Sequence, residues 1–358
     1  MYQVTHNKLK LMDMKKLILI GAIRKGKEPN CGETMKNQLF IRRFEEVFDQ
    51  VIQVDTHHWQ KRPWCLVTAL FTLVFNKGAK VVISSCDISA YRLIKFLYFV
   101  RLKKDVFYWV VGGGFHKLMR NGDINPKYYK YLKGIFVQSQ DMVDELNNNG
   151  ISNARYIPNS KPVYHFPIGN RNGAVIRFVF LSRIHEEKGC KEILECAKRM
   201  NDEGLKDKFS ITFYGNIDSK YEKDFLNKIK NFENIDYKGL LNLTNQRGYE
   251  ELAKNDVFLF PTYYFNEGFP GVVIDAYIAG LPIIATNWHF NSQVVDDGVT
   301  GVIIEPKNIN ALYDAMISFI EKEFDYNMMK DNCLQKANQY DVRVILSDGV
   351  LNEIGLVD

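Results

Sequence analysis

The stretch VFLFPTYYFNEGFPGVVIDAYIAGLPIIATN, Val257 to Asn287, decides the fold. "VFLFPT" is an uncharged apolar run that reads as a strand, "YYFNEGFP" as a turn, "GVVIDAYIAG" as a helix and "PIIATN" as the next strand. Strands this apolar, separated by a helix, belong to a parallel sheet covered on both faces. Pro270 suits the first turn of the helix, where its missing N–H costs nothing. The amides of Gly271, Val272 and Val273 then point out of a helix N-terminus, which attracts anions. Gly268 and Gly271 let a ligand approach the backbone closely. Glu267 precedes the helix and Asp275 stands just over one turn inside it, so each is expected to present a carboxylate to vicinal hydroxyls. Amides for phosphates and acids for hydroxyls make a nucleotide-sugar site.

The same alternation extends in both directions. "KKLILIGA", "VIQVD", "KVVISSC", "VFYWVVGG" and "GIFVQS" are strands of a first half, and "RFVFLS", "SITFYG", "NIDYKG", "VFLFPT", "PIIATN" and "GVIIEP" of a second. Amphipathic helices separate most of them. The 358 residues therefore divide into two Rossmann-like doubly wound α/β domains, expected to face each other across a cleft. The boundaries predicted are 1–165, 166–340 and a C-terminal helix at 341–358 that crosses back to the first domain. "IPNSKPVYHFPIGNRNG", residues 157–173, is rich in Pro and Gly and reads as the linker.

Composition is that of a globular protein, 46% hydrophobic and 25% charged, with no apolar run near the roughly 20 residues a membrane span needs. "KKLILIGA" is too short for a secretory signal and reads as the first strand. The cysteines at 31, 65, 86, 190, 196 and 333 lack metal-ligand spacing and are expected to be reduced thiols of a cytoplasmic protein. His57 and His58, being adjacent, are badly spaced for a shared ligand role. Charge is unevenly spread: residues 1–170 hold 26 Lys and Arg against 13 acids, and residues 171–358 hold 21 against 29. The basic half suggests an anionic partner. No nucleic-acid motif accompanies the charge, which turns the expectation from nucleic acid to a membrane leaflet. "WCLVTALFTLVF" reads as a core helix, and "YRLIKFLYFVRLKK" as one able to lie on a membrane surface.

Glu267, seven residues, Asp275 and then "AYIAGLP" resemble the E-x(7)-E signature of the retaining family-4 glycosyltransferases, with Asp in place of the second Glu. The resemblance is closest from Arg177 to Pro306 and traceable from Lys15 to Asn159. It implies the GT-B fold and a donor site that includes Phe269 and Pro270 of the opening stretch. In "FLSRIHEEKG" it makes Arg183 and Lys188 the groups that neutralise the donor diphosphate. "FYGN" supplies the glycine turn beside the nucleotide, Gly215 and Asn216, and "YKGLL" the loop that reads the base, around Leu240. "NCGETMKNQL" resembles the family's glycine loop at Gly32. In "WVVGGGFHK", Gly113 and Gly114 join that loop, and His116 is the candidate to touch the transferred sugar. Gln293 stands where the family usually has an acid.

The function this implies is retaining transfer of a hexosyl-type sugar to a hydroxyl, with Glu267, Arg183, Lys188 and His116 as the catalytic set. The donor is expected to be a UDP-sugar, with GDP-sugar the alternative, and the acceptor a saccharide, soluble or lipid-linked, in capsule, O-antigen or exopolysaccharide assembly. The expected setting is the inner face of the cell membrane. No cofactor is expected, and the absence of D-x-D argues against an essential metal. Two other readings stay open: a nucleotide-sugar epimerase of the same architecture, and a non-catalytic nucleotide-sugar-binding subunit.

Overall fold

The computed structural model describes residues 14–357 except Asn30, Pro63, Leu102 and residues 170–172; those last three, part of the expected linker, lie outside the described residues. Two compact units result. One comprises the described residues up to Asn159 and those from Val342 onward, the other Ser160–Asp341.

The first unit holds β1 (Lys16–Gly21), α1 (Gly32–Glu45), β2 (Gln50–Asp55), α2 (Trp64–Phe75), β3 (Lys80–Cys86), α3 (Asp87–Phe99), β4 (Val106–Val111), α4 (Phe115–Arg120), β5 (Gly134–Val137), α5 (Gln140–Asn148) and β6 (Ala154–Tyr156). The strands are all parallel, in the order β2-β1-β3-β4-β5-β6. The second unit holds β7 (Ile176–Leu181), α6 (Cys190–Asp202), β8 (Phe209–Tyr214), α7 (Glu222–Ile229), β9 (Ile235–Tyr237), α8 (Gln246–Leu252), β10 (Val257–Phe260), α9 (Gly271–Ile278), β11 (Ile283–Thr286), α10 (Asn291–Val294), β12 (Gly301–Ile304), α11 (Ile309–Ile320) and α12 (Tyr326–Gln339). Its sheet is also parallel, in the order β12-β11-β10-β7-β8-β9.

The apolar runs become the central strands because both faces are covered. Every residue of β5, β10 and β11 is buried, as are most of β1, β3, β4 and β7. Connections leave β7 and β10 toward opposite edges, so the chain opens a crevice at their carboxyl ends, where doubly wound sheets bind ligands. In the first unit β1 and β3 play the same part. A sixth strand, β6, escapes sequence reading because it has three residues and buries only Ala154.

Two readings are corrected. "WCLVTALFTLVF" forms α2, but it is not a core helix: only Cys65, Ala69 and Leu73 are buried, while Trp64 is 59% and Phe75 74% exposed. The sheet accepts one narrow stripe of the helix and leaves the rest uncovered. The C-terminal segment is two short helices, α13 (Val342–Ile345) and α14 (Asp348–Glu353), because Ser347 caps a new turn by accepting from the Val350 amide. Their Leu346, Leu351 and Leu356 pack with Phe40, Phe44 and Trp109.

Buried Arg43 of α1 fastens this tail. Its Nε donates to the Leu346 carbonyl at 2.9 Å, and its guanidinium pairs with Asp348 at 2.5 Å. Arg43→Ala removes charge-assisted hydrogen bonds and leaves a carbonyl unpaired, a loss of about 1–3 kcal/mol. A lowered urea midpoint is expected, with protease cleavage beyond Asp341 appearing first; an unchanged midpoint would mean the tail is held by its leucines alone.

Candidate active site

The site is built where β7 and β10 end. Beyond β7 the chain passes the exposed Arg183 and makes a short 3₁₀ turn, Glu186–Lys188, capped by the His185 ring, which accepts from the Glu187 amide. Gly189 closes that turn at φ +81°, and a Cβ there would lie 2.4 Å from the Pro261 carbonyl. Only glycine lets the two loops approach so closely. The Tyr263 amide donates to the Glu187 carbonyl at 2.9 Å, stitching the loops together.

Lys188 and Glu267 are thereby brought side by side and form an ion pair, Lys188 being 7% exposed. The Thr262 hydroxyl donates to the same Glu267 Oε2 at 2.9 Å. Both contacts fall on Oε2, and Oε1 has no such contact among the described residues. Glu267 was expected to present its carboxylate to sugar hydroxyls; the side chain is largely covered and Oε2 is held from two sides. Lys188, expected to neutralise the donor diphosphate, is engaged by this carboxylate. Tyr264 gathers the positive groups. The Arg183 guanidinium lies 5.3 Å and the Lys188 ammonium 4.8 Å from its ring centre, and Trp288 Nε1 donates to the Tyr264 carbonyl at 2.9 Å.

Beside this cluster, Gly215 follows β8 with φ +140°, and a Cβ there would lie 1.7 Å from the Ser182 carbonyl. Its amide donates to the Gly239 carbonyl at 2.8 Å, so the exposed Asn216 and the 66% exposed Leu240 share this edge. Gly268, Gly271 and Val272 are half-buried on the other side. No side chain caps α9, so the amides of Gly271 and Val272 have no intrahelical acceptor. Val273 differs from expectation: it is buried and its amide donates to the Pro270 carbonyl at 3.0 Å. Phe269 and Pro270 are buried too, Phe269 packing its ring on Tyr340.

Asp275 is the clearest correction. It is 2% exposed, with Lys161 Nζ 3.0 Å from Oδ2 and the Tyr249 hydroxyl donating to Oδ1 at 2.7 Å. A carboxylate held on both oxygens inside the unit is not presented to a ribose. Gln293, on α10, is exposed.

In the first unit the expected residues gather at the carboxyl ends of β1, β3 and β4. Gly32 opens α1 with nothing within 4 Å of where a Cβ would be. Gly113 is buried, and a Cβ on Gly114 would lie 3.3 Å from Asp87 Oδ2. His116, half-buried on α4, has a buried Nδ1 that makes no hydrogen bond among the described residues. Burial, Lys117 and Arg120 depress its pKa against the opposing pull of Glu145 and Asp141, which keeps the ring neutral at pH 7.

Three charged residues here were not singled out in the sequence. Burial raises Glu33, opposed by the Ser85 hydroxyl and backbone hydrogen bonds from Ala22 and Cys86. Burial pushes Asp87 up to about 7, against the Tyr108 hydroxyl and with help from the Glu33 charge. Burial also lowers Lys36 to about 7; its Nζ donates to the Val110 carbonyl at 3.3 Å. The available signal was an acid at the end of an apolar strand, "VVISSCD".

The fold favours the protonated form of Asp87, so its contribution to stability is full below the unfolded value of 3.8 and is lost as pH rises through about 7. Asp87→Asn should therefore match the wild type in melting temperature near pH 4 and exceed it increasingly up to pH 7, then level off. A difference independent of pH would contradict the assignment.

Comparison with known proteins follows the same geometry. Residues 165–336 match the family model described as glycosyl transferases group 1. A Klebsiella pneumoniae protein described as an uncharacterized 41.2 kDa protein in the cps region is 29% identical over 163 residues, 46% of this chain and 41% of that protein. The N,N'-diacetylbacillosaminyl-diphospho-undecaprenol alpha-1,3-N-acetylgalactosaminyltransferase of Campylobacter jejuni is 27% identical over 172 residues, 47% of this chain and 41% of that protein. The matches thus span about two fifths of these relatives. Anabaena HepE, solved in complex with UDP and glucose, shares the fold at a TM-score of 0.66 and 14% identity, over 95% of this chain and 99% of that one. Residues 165–336, just under half of this chain, thus match the glycosyl transferases group 1 model, and the chain has the two-domain α/β fold of the GT-B glycosyltransferases.

Proposed function

We propose that the protein transfers a hexosyl-type sugar, with retention, from a UDP-sugar to a hydroxyl of a lipid-linked saccharide, in polysaccharide assembly at the cytoplasmic face of the cell membrane. GDP-sugar is the next donor to test. The observation that carries this reading is the convergence of Arg183 and Lys188 on Tyr264, beside Glu267, at the β7/β10 crevice. The acceptor class rests on the diphospho-undecaprenol in the Campylobacter relative's name and on the basic first half. Among the described residues no helix is long and apolar enough to cross a membrane.

In this reading the bond from the anomeric carbon to the diphosphate oxygen breaks while the acceptor oxygen attacks from the same face. The acceptor proton passes to the departing phosphate oxygen. Charge grows on the leaving group, and the exposed Arg183 with the Gly271 and Val272 amides stabilises it. Glu267 offers Oε1 to the sugar hydroxyls. Lys188 acts as a positioning residue, holding Oε2 while adding positive potential to a partly buried site. His116, a neutral ring, remains the first unit's own candidate to touch a sugar, and the Asn216 and Leu240 turn receives the base. Asp275 braces α9 through Lys161 and Tyr249 and makes no donor contact.

Glu267→Gln keeps an acceptor for Lys188. Truncation to Ala would strand a buried ammonium at a cost of about 3–5 kcal/mol and confuse folding with activity. Glu267→Gln should lower kcat about 100-fold or more while leaving a UDP-induced thermal shift in place, whereas Arg183→Ala should lower kcat similarly and also reduce that shift, since Arg183 meets the diphosphate itself. Full turnover in either variant removes that residue from the chemistry. Turnover should also survive EDTA; loss on chelation and recovery with magnesium or manganese would establish a metal requirement.

A further inference from the structure

An apolar recess lies between α2 and α3, on one face of the first unit's sheet. Ile20 of β1 and Ile83 of β3 floor a groove of about 400 Å³, and Leu66, Leu70, Leu93 and Phe96 wall it. Its polar groups, Thr56, Ser85, Ser89 and Arg92, include two at the carboxyl ends of strands, the edge where such sheets meet their ligands. Trp59 stands there with the Arg92 guanidinium 6.0 Å from its ring centre. Outside the groove the apolar surface continues: α2 carries no charged residue, and Trp64, Phe71 and Phe75 are each more than half exposed.

Chemistry and charge select the occupant. The lining is almost wholly apolar, with few groups to pair the polar backbone or side chains of a peptide, which suits a hydrocarbon chain. A hydrocarbon also brings no polar groups into an apolar site. From Thr56 to Lys104 the sequence has nine Lys and Arg and one acid, Asp87. Of these, Arg92 lines the groove itself, and a phosphate-linked lipid complements it.

We propose that this groove seats the hydrocarbon chain of the acceptor's lipid diphosphate, with the diphosphate at the Arg92 mouth. The inference rests on the reading of the protein as a glycosyltransferase of lipid-linked saccharides and adds where the lipid is held. It also accounts for a helix as apolar as α2 lying uncovered.

The test uses geranylgeranyl diphosphate as the probe, followed by tryptophan fluorescence and, with a photoreactive group in its tail, by mapping the labelled peptide. Saturable binding and labelling within residues 59–97 are expected. Leu70→Glu, at a partly exposed wall position, should weaken binding about tenfold or more. Its UDP-induced thermal shift should be that of the wild type, showing a folded chain with an intact donor site. Equal binding by Leu70→Glu, labelling elsewhere, or equal affinity for inorganic diphosphate would overturn the proposal. Salt-sensitive binding to phosphatidylglycerol vesicles without saturable probe binding would assign the face to the bilayer. A dimer that Leu70→Glu dissociates would assign it to a second copy. The glycosyltransferase reading fails separately, if no nucleotide sugar shifts the melting temperature or is turned over.

Discussion

The second unit depends on the pairing of β7 with β10, strands about eighty residues apart in sequence that are locked at both ends. At the amino ends Arg177 meets Asp256 with its backbone amide at 2.8 Å and through Nε and a terminal nitrogen at 3.0 Å. At the carboxyl ends Gly189 lies against the Pro261 carbonyl, and a side chain there would drive the loops apart. Between these clamps the strands are buried and uncharged apart from Arg177. The connections diverge from this pair, and the crevice they leave is where Arg183, Lys188 and Glu267 come together. The site is thus a consequence of strand order before it is a consequence of any one side chain.

Within that frame the Lys188–Glu267 pair has two consequences. A nearly buried ammonium requires a partner, and the carboxylate supplies it. The carboxylate in turn is oriented by Lys188 and Thr262, both on one oxygen, so it is pre-organised without a ligand. Arg183 remains exposed beside the Tyr264 ring, whereas Lys188 is buried against Glu267. A division between one fixed and one free positive group suits a site that must both orient a sugar and follow a departing diphosphate.

Much of this was legible in the sequence, since uncharged runs four to seven residues long can only be buried parallel strands when helices alternate with them. Ten of the twelve strands follow from that rule; β6 and β9 do not, being three residues each with a charged residue in the middle. Arg183, Lys188, Gly215 and Glu267 could be placed at strand ends by position alone. The state of each group could not. Asp275 has the right spacing for a ligand contact, yet Lys161 and Tyr249, 114 and 26 residues away, take its oxygens. The apolar character of α2 suggested burial, but a helix is covered only where a neighbour exists, and the sheet covers one stripe. Glu33 and Asp87 owe their raised pKa values to how deeply the β1 and β3 ends bury them, which sequence does not report.

A crystal structure of the protein with UDP bound tests the central claim most directly. The account predicts diphosphate oxygens within about 3 Å of the Arg183 guanidinium and the Gly271 and Val272 amides, with uracil against the backbone at Leu240 and the Asp275–Tyr249 bond intact. A diphosphate bound away from the ends of β7 and β10, or a ribose on Asp275 with Lys161 and Tyr249 displaced, would contradict it.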